Sequence, residues 1–221
     1  FILDRSTSYI GVMIDDLITF GVSEPYRVLT SRSEYRLSLR ADNADLRLSE
    51  IAISRGLLSQ VQVEAFRAKL SLLELGRELL NKLKITPAKL SAHNISISQD
   101  GAHRSAFRLL AYPNIDFDMI AEVWPELDSM PLEIREMLST EAKYHSYLVR
   151  QNEDIKLFKE YESLEIPATM DYRAISSLSN EVKEKLGLSK PVNIGAASRV
   201  PGVTPAAIIS LIIYLRKENA I

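Results

Sequence analysis

The stretch Ser59–Lys84, SQVQVEAFRAKLSLLELGRELLNKLK, decides the fold class. Val63, Phe66, Leu70, Leu73, Leu80 and Leu83 recur at steps of three, four and seven, which is one stripe along an α-helix. Ser59 stands where the helix N-cap belongs. A helix of this pattern turns its apolar side to a core, so none of these positions is a candidate site.

Downstream, residues 85–104 are polar and broken by Pro87 and Gly101, and they read as a linker or disordered loop. His93 and His103 lie in it without a matched partner, so neither is assigned a ligand or catalytic role. Phe107 to Tyr112 reads as a short apolar helix stopped by Pro113. A second starts near Asp116 and ends at Trp124, a partly buried anchor, before Pro125. Pro131 fits the first turn of a long helix over roughly 132–163. Its apolar line is Ile134, Leu138, Tyr144, Tyr147, Leu148, Ile155 and Phe158. After Pro167 come short helices over about 171–177, from Ser179 to a stop at Gly187, and over 194–199. The last starts at the N-cap Thr204, with Pro205 first, and runs through AAIISLIIYLRK.

Upstream, YIGVMIDDLITF (9–20) sets Ile10, Met13, Ile14, Leu17 and Ile18 on one helical face, with Gly21 as the stop. Asp15 and Asp16 are adjacent and cannot face the same way on a helix, so they read as a solvated edge or a hydrogen-bond anchor rather than an acid/base couple. Asp42 or Asn43 caps a helix to about Arg55, ended by Gly56. The expected fold is mainly α: a multi-helix region with a short β-containing segment near 27–40 and a terminal helical bundle. The expected divisions are 1–56, 57–163 and 164–221.

That β-containing segment is the charge-dense stretch Glu24–Arg47, EPYRVLTSRSEYRLSLRADNADLR. As a strand, Arg32, Glu34, Arg36, Ser38 and Arg40 line one face and Tyr35, Leu37 and Leu39 the other. As a helix, Arg32, Arg36 and Arg40 again share a face. The clean alternation of Tyr-Arg-Leu-Ser-Leu favours a strand over 34–40. Either way an arginine row lies beside an apolar row, and arginine forks bind phosphates and carboxylates through paired hydrogen bonds. The competing reading pairs these arginines internally with Glu34, Asp42 and Asp45.

The order EPYR-x-x-TSR-x-EYRL-x-LR-x-DNADLRL resembles the MnmG (GidA) family, enzymes that modify the wobble uridine of certain tRNAs at C5. The resemblance continues through Tyr9–Leu17, Lys143–Gln151, Ile166–Tyr172, Leu178–Glu181 and Ile194–Ala207, in family order, and is weak over 57–140. It implies the C-terminal part of an FAD-dependent enzyme that acts with a partner GTPase of the MnmE family. The group added is aminomethyl or carboxymethylaminomethyl, with methylenetetrahydrofolate as carbon donor and NADH as reductant. FAD would be bound mainly by an N-terminal part that adjoins residues 1–56, and the fragment alone would hold no cofactor and no catalytic residue. The resemblance further implies a homodimer at full length and a cytoplasmic setting. It makes Arg27, Arg32, Glu34, Arg36, Arg40, Asp42 and Asn43 candidates for tRNA or flavin-edge contact. Lys143 and Arg150, seven apart on one face of the long helix, join Ser198, Arg199 and Thr204 as candidates for the partner or tRNA surface. Two departures stand out. The family commonly has Gln where Ala196 stands. Val200-Pro201-Gly202-Val203-Thr204 follows a helix-hairpin-helix turn, which would aim amides at a phosphate, except that Thr204 replaces the second glycine.

Bulk properties set the outer limits. The chain has 221 residues, is 46% hydrophobic and 25% charged, and suits a globular protein. Its net charge of -2 confines any nucleic-acid contact to local patches. With no cysteine it has no disulfide, thiolate metal site or cysteine nucleophile, and three scattered histidines make no zinc site. The dispersed glycines form no G-x-G-x-x-G turn. No apolar run reaches membrane-spanning length, and the start does not read as a signal peptide. Phe1 in place of Met suggests a chain that begins within a longer protein. The alternative function is a non-catalytic helical protein-interaction domain.

Overall fold

Ser59 caps the helix that fixes the fold: its Oγ accepts from the Gln62 amide while the Gln62 side chain accepts from the Ser59 amide, a full capping box. The computed structural model describes residues 1–19, 21–22 and 24–218. They form two compact units, 37–150 and 1–36 with 151–221. These cuts differ from the composition-based divisions near 56 and 163.

The 37–150 unit is built on α3 (Gln60–Lys82). Its stripe meets α2 (Ala44–Ser54), α5 (Ala106–Leu109), α6 (Phe117–Val123) and the first half of α7 (Leu132–Ser163). Leu73, Leu80, Leu109, Ile120, Leu127 and Leu138 are buried at its centre, and Trp124 packs against them half-buried. Gly76 lets α7 approach closely, because a Cβ there would meet Leu138 and Met130.

Residues 85–104 are not a loose linker. Lys84–Ile85 (β1) pairs antiparallel with Arg104–Ser105 (β2), and Pro87–Leu90 forms a one-turn helix, α4. Leu90 and Ile95 are fully buried in the core, and buried Arg104 holds Asp100 at 2.6 Å and Tyr112 at 3.1 Å. A few apolar residues among polar ones suffice to dock a segment whose ends are tied by a strand pair.

The expected strand over 34–40 is absent. Thr30–Arg32 is a 3-10 turn and 34–38 are turns. A strand needs a neighbouring backbone, whereas here side chains satisfy the carbonyls of residues 37, 38 and 40. Arg40 donates to the Leu37 carbonyl at 2.7 Å, Asn43 to that of Ser38 at 3.0 Å, and Arg47 to that of Arg40 at 3.1 Å. Asn43 does occupy the N-cap position of α2, but its side chain makes no capping bond. Gly56, at φ +66°, closes that helix end as expected.

In the other unit, α8 (Asn180–Ser189), α9 (Ile194–Arg199) and α10 (Pro205–Glu218) enclose Leu186, Ile194, Ala197 and Leu211. Ser179 and Asn193 cap α8 and α9. Gly187 does not stop α8, which continues to Lys190 in the left-handed region. Nothing forces a break at Gly187, since its backbone stays helical.

In the same unit α1 (Tyr9–Thr19) forms as expected but leaves much of its apolar stripe in solvent; Phe20 lies outside the described residues. Gly11, Val12 and Asp16 are buried, while Ile10, Ile14 and Ile18 are exposed, Ile18 at 78%. The inward face carries Asp16, and the reason lies in the charged site.

Candidate functional site

The site starts from a local turn. The Asp4 carboxylate accepts from the Ser6 amide and hydroxyl at 2.8 and 2.7 Å, and the Ser8 hydroxyl accepts from the Gly11 amide at 3.0 Å. Gly11 leaves room for the Asp4 backbone that a Cβ would fill. This turn sends Arg5 against α1, where it is 4% exposed.

Arg5 is the hub. Its Nη1 donates to Asp16 at 2.6 Å and Asp15 at 2.9 Å, and its Nη2 donates to both Glu34 oxygens at 2.8 and 3.0 Å. The Val12 and Arg32 carbonyls accept at 3.4 and 3.3 Å. Asp16 also accepts from the Tyr26 hydroxyl at 2.6 Å, and the Arg32 guanidinium lies over the Tyr26 ring at 4.5 Å. On the other side Arg199 donates to Asp15 at 2.8 Å and Glu162 at 2.6 Å. Glu162 is held in turn by Asn193, the cap of α9, at 2.8 Å. Arg199 also lies over Phe158 at 5.7 Å, and Tyr35 meets that ring edge-on.

Burial lowers the proton affinity of the Arg5 guanidinium, but its bonds to Asp16 and Glu34 outweigh this and the net shift is upward. For Asp16, burial pushes upward, while the Tyr26 hydroxyl and Arg5 pull harder and hold the carboxyl below its usual range. The Tyr26 hydroxyl is raised by burial and by donating to Asp16. Asp16 is therefore ionised at neutral pH and Tyr26 is neutral. The cluster works as a clamp of fixed charges.

The candidate residues fall into different environments. Arg32 turns to Tyr26 and, at 3.8 Å, Asp16; Glu34 serves Arg5. Arg27 and Arg36 are exposed and make no ion pair among the described residues. Arg40 pairs with Asp42 at 3.0 Å and holds that carboxyl below its usual range, while Asn43 ties Ser38 and Arg47. Arg32, Arg36 and Arg40 thus form no uniform row. Lys143 and Arg150 are exposed on α7 and make no ion pair among the described residues. Arg199 is 14% exposed and internally paired, the Ser198 hydroxyl donates to the Gly195 carbonyl, and Thr204 accepts from the Ala207 amide at 3.3 Å. The Pro-Gly turn has Gly202 at φ +88°, with Lys185 against it. Arg5 and Glu162 escaped the sequence reading. The hint was the pair Asp15-Asp16, whose reading as a hydrogen-bond anchor holds, since both carboxylates accept from Arg5.

Fold and site together define a two-unit, mainly α-helical protein whose polar chemistry is carried by arginines. Residues 154–221 match the model of the tRNA modifying enzyme MnmG/GidA C-terminal helical bundle, and 60–152 that of the MnmG/GidA C-terminal helical domain. The chain is 43% identical over 223 residues to the tRNA uridine 5-carboxymethylaminomethyl modification enzyme MnmG of Caldicellulosiruptor saccharolyticus, covering 99% of this chain and 35% of the relative. It is 43% identical over 221 residues to the MnmG of Listeria monocytogenes, covering 98% of this chain and 35% of the relative. The structure of Aquifex aeolicus GidA in its form II crystal superposes with a TM-score of 0.77 at 37% identity, covering 97% of this chain and 34% of that one. The chain belongs to the MnmG/GidA family and corresponds to its C-terminal helical region. It spans about a third of the length of these relatives.

Proposed function

We propose that this chain is the tRNA- and partner-binding region of an FAD-dependent enzyme that adds a carboxymethylaminomethyl or aminomethyl group to C5 of the wobble uridine. The observation that carries the proposal is the identity of 43% to a named MnmG over 99% of the chain. The chemistry belongs to the longer protein, with NADH, methylenetetrahydrofolate and an MnmE-family GTPase as co-reactants and partner. That protein acts as a cytoplasmic homodimer in this reading. Among the described residues no helix is long and apolar enough to cross a membrane.

The residues present do not fit the flavin's pyrophosphate, which needs a glycine-rich turn at a helix N-terminus. Gly76 and Gly195 sit where helix packing leaves no room for a Cβ, and Gly11 where α1 meets the Asp4 backbone. No catalytic step is therefore routed through this chain. Exposed Arg27 and Arg36, with Lys143 and Arg150, are the groups that suit RNA phosphates. Arg199 and Arg5 instead suit a supporting role, holding α1, α9 and α7 together.

The internal pairing of Arg5, Arg40 and Arg199 favours the second reading, a protein-interaction domain. Titrating labelled tRNA at several salt concentrations separates the two. Binding whose salt slope drops by about 0.7–0.9 in Arg36→Ala supports the phosphate contact. Absence of tRNA binding with retained capture of the GTPase refutes it and leaves a docking domain.

A further inference from the structure

A cleft of about 810 Å³ opens in the 37–150 unit between α5 and α7. Arg108, Lys143 and His145 line it, with Phe107 and Tyr147, and no carboxylate lines it. Several other cations of this unit are matched, Lys69 with Asp45 and Glu133, Arg77 with Glu141, Arg104 with Asp100 and Arg40 with Asp42, whereas Arg150 makes no ion pair among the described residues. Arg108 and Lys143 are exposed, and neither makes an ion pair among the described residues. Two unmatched cations in a carboxylate-free cleft, on a chain of net charge -2, form a local anion site.

The aromatic groups narrow the ligand. His145 stands edge-on to Phe107 at 5.4 Å and 90°, which braces the wall. Tyr147 is 62% exposed, so its ring is open to a flat partner. Lys143, Tyr147 and Arg150 follow one another at steps of four and three along α7, placing cation, ring and cation on one helix stripe. Positive groups interleaved with an open aromatic ring are the pattern that takes single-stranded nucleic acid, through phosphates on the cations and a base on the ring.

We propose that this cleft binds an unpaired segment of RNA, with phosphates at Arg108 and Lys143 and a base stacked on Tyr147. The proposal rests on the tRNA-binding reading and adds a strand-specific site to it. A duplex cannot use the ring, because its bases are already stacked.

The test titrates the 221-residue chain with labelled tRNA, an unstructured RNA oligomer, a duplex of the same length and uridine monophosphate. Arg108→Ala, Tyr147→Leu and the control Lys89→Ala alter exposed side chains, and circular dichroism checks their fold. Arg108→Ala should weaken oligomer binding and reduce the salt slope by about 0.7. Tyr147→Leu should weaken it about tenfold with the slope unchanged. Lys89→Ala should bind like the unaltered chain. Unchanged oligomer binding in both cleft variants, while tRNA still binds, overturns the cleft and leaves the tRNA-binding reading intact. Duplex bound as tightly as the oligomer, or the monophosphate matching it, overturns the strand assignment. No tRNA binding by the unaltered chain overturns both.

Discussion

Replacing Arg5 with Met tests whether one buried guanidinium organises the unit formed by 1–36 and 151–221. The substitution keeps the apolar stem and removes the charge. Asp16 loses a 2.6 Å bond and Asp15 a 2.9 Å bond, and both carboxylates are largely buried. Glu34 also loses its partner, but it is more than half exposed and water replaces the bond. Breaking a buried pair from one side costs about 3–5 kcal/mol, because the remaining charge is left uncompensated. Here Asp15 keeps Arg199 and Asp16 keeps Tyr26, which puts the expected loss at the lower end, about 3 kcal/mol. With a urea slope of about 2 kcal/mol/M, the midpoint for this unit falls by about 1.5 M. Far-UV circular dichroism follows both units, whereas the single tryptophan, Trp124, lies in the 37–150 unit and reports on that one. The double variant Arg5→Met, Asp16→Asn removes the stranded charge and should recover about 1 kcal/mol or more of the loss. A loss below about 1 kcal/mol for Arg5→Met would refute the hub. So would a double variant as unstable as the sum of its parts.

Three further outcomes follow from the same structure. Asp16 titrates below its ordinary value in the folded state, so its contribution is whole above about pH 4 and is lost as pH falls further. The stability gap between the unaltered chain and Asp16→Asn, measured by urea unfolding from pH 7 to pH 3, should therefore narrow in acid, and a constant gap would exclude the ionised clamp. Leu80→Ala empties a fully buried position and should cost about 2–5 kcal/mol, read from the Trp124 fluorescence transition. Ser179→Ala removes the hydroxyl that accepts from the Val182 amide and should cost about 1 kcal/mol in the circular-dichroism midpoint, with Ser179→Asp close to neutral.

Where neighbours in sequence make the structure, the sequence was readable. The α3 stripe, its Ser59 cap, the Asp116 cap of α6, and Pro131 and Pro205 at the starts of α7 and α10 all rest on contacts within a few residues. The strand over 34–40 was misread because alternation describes side chains only, whereas a strand exists through its hydrogen-bonding partner. The carbonyls at 37, 38 and 40 found arginine and asparagine donors instead. Residues 85–104 were misread because polar composition hides the few positions, Leu90 and Ile95, that anchor them.

The candidate site was less legible. Its charged residues were visible, but pairing decides their roles, and the pairs span long stretches of chain. Arg199 meets Asp15 across 184 positions and Glu162 across 37. From sequence, Arg199 and Arg36 look alike. In the structure the first is occupied and the second is open.

The sequence by itself determined that the chain is mainly helical, where most helices start, and which family it belongs to, because caps, prolines, apolar spacing and motif order are properties of the chain. Only the tertiary structure decided that α1 turns its aspartate inward, that Arg5 neutralises it, and that Arg108 and Lys143 face a cleft without a carboxylate. The physical reason is the reach of the forces. Backbone hydrogen bonding and local apolar periodicity act over a turn or two of chain. The burial of a charge is settled by whichever opposite charge the fold brings to it, from any distance along the sequence.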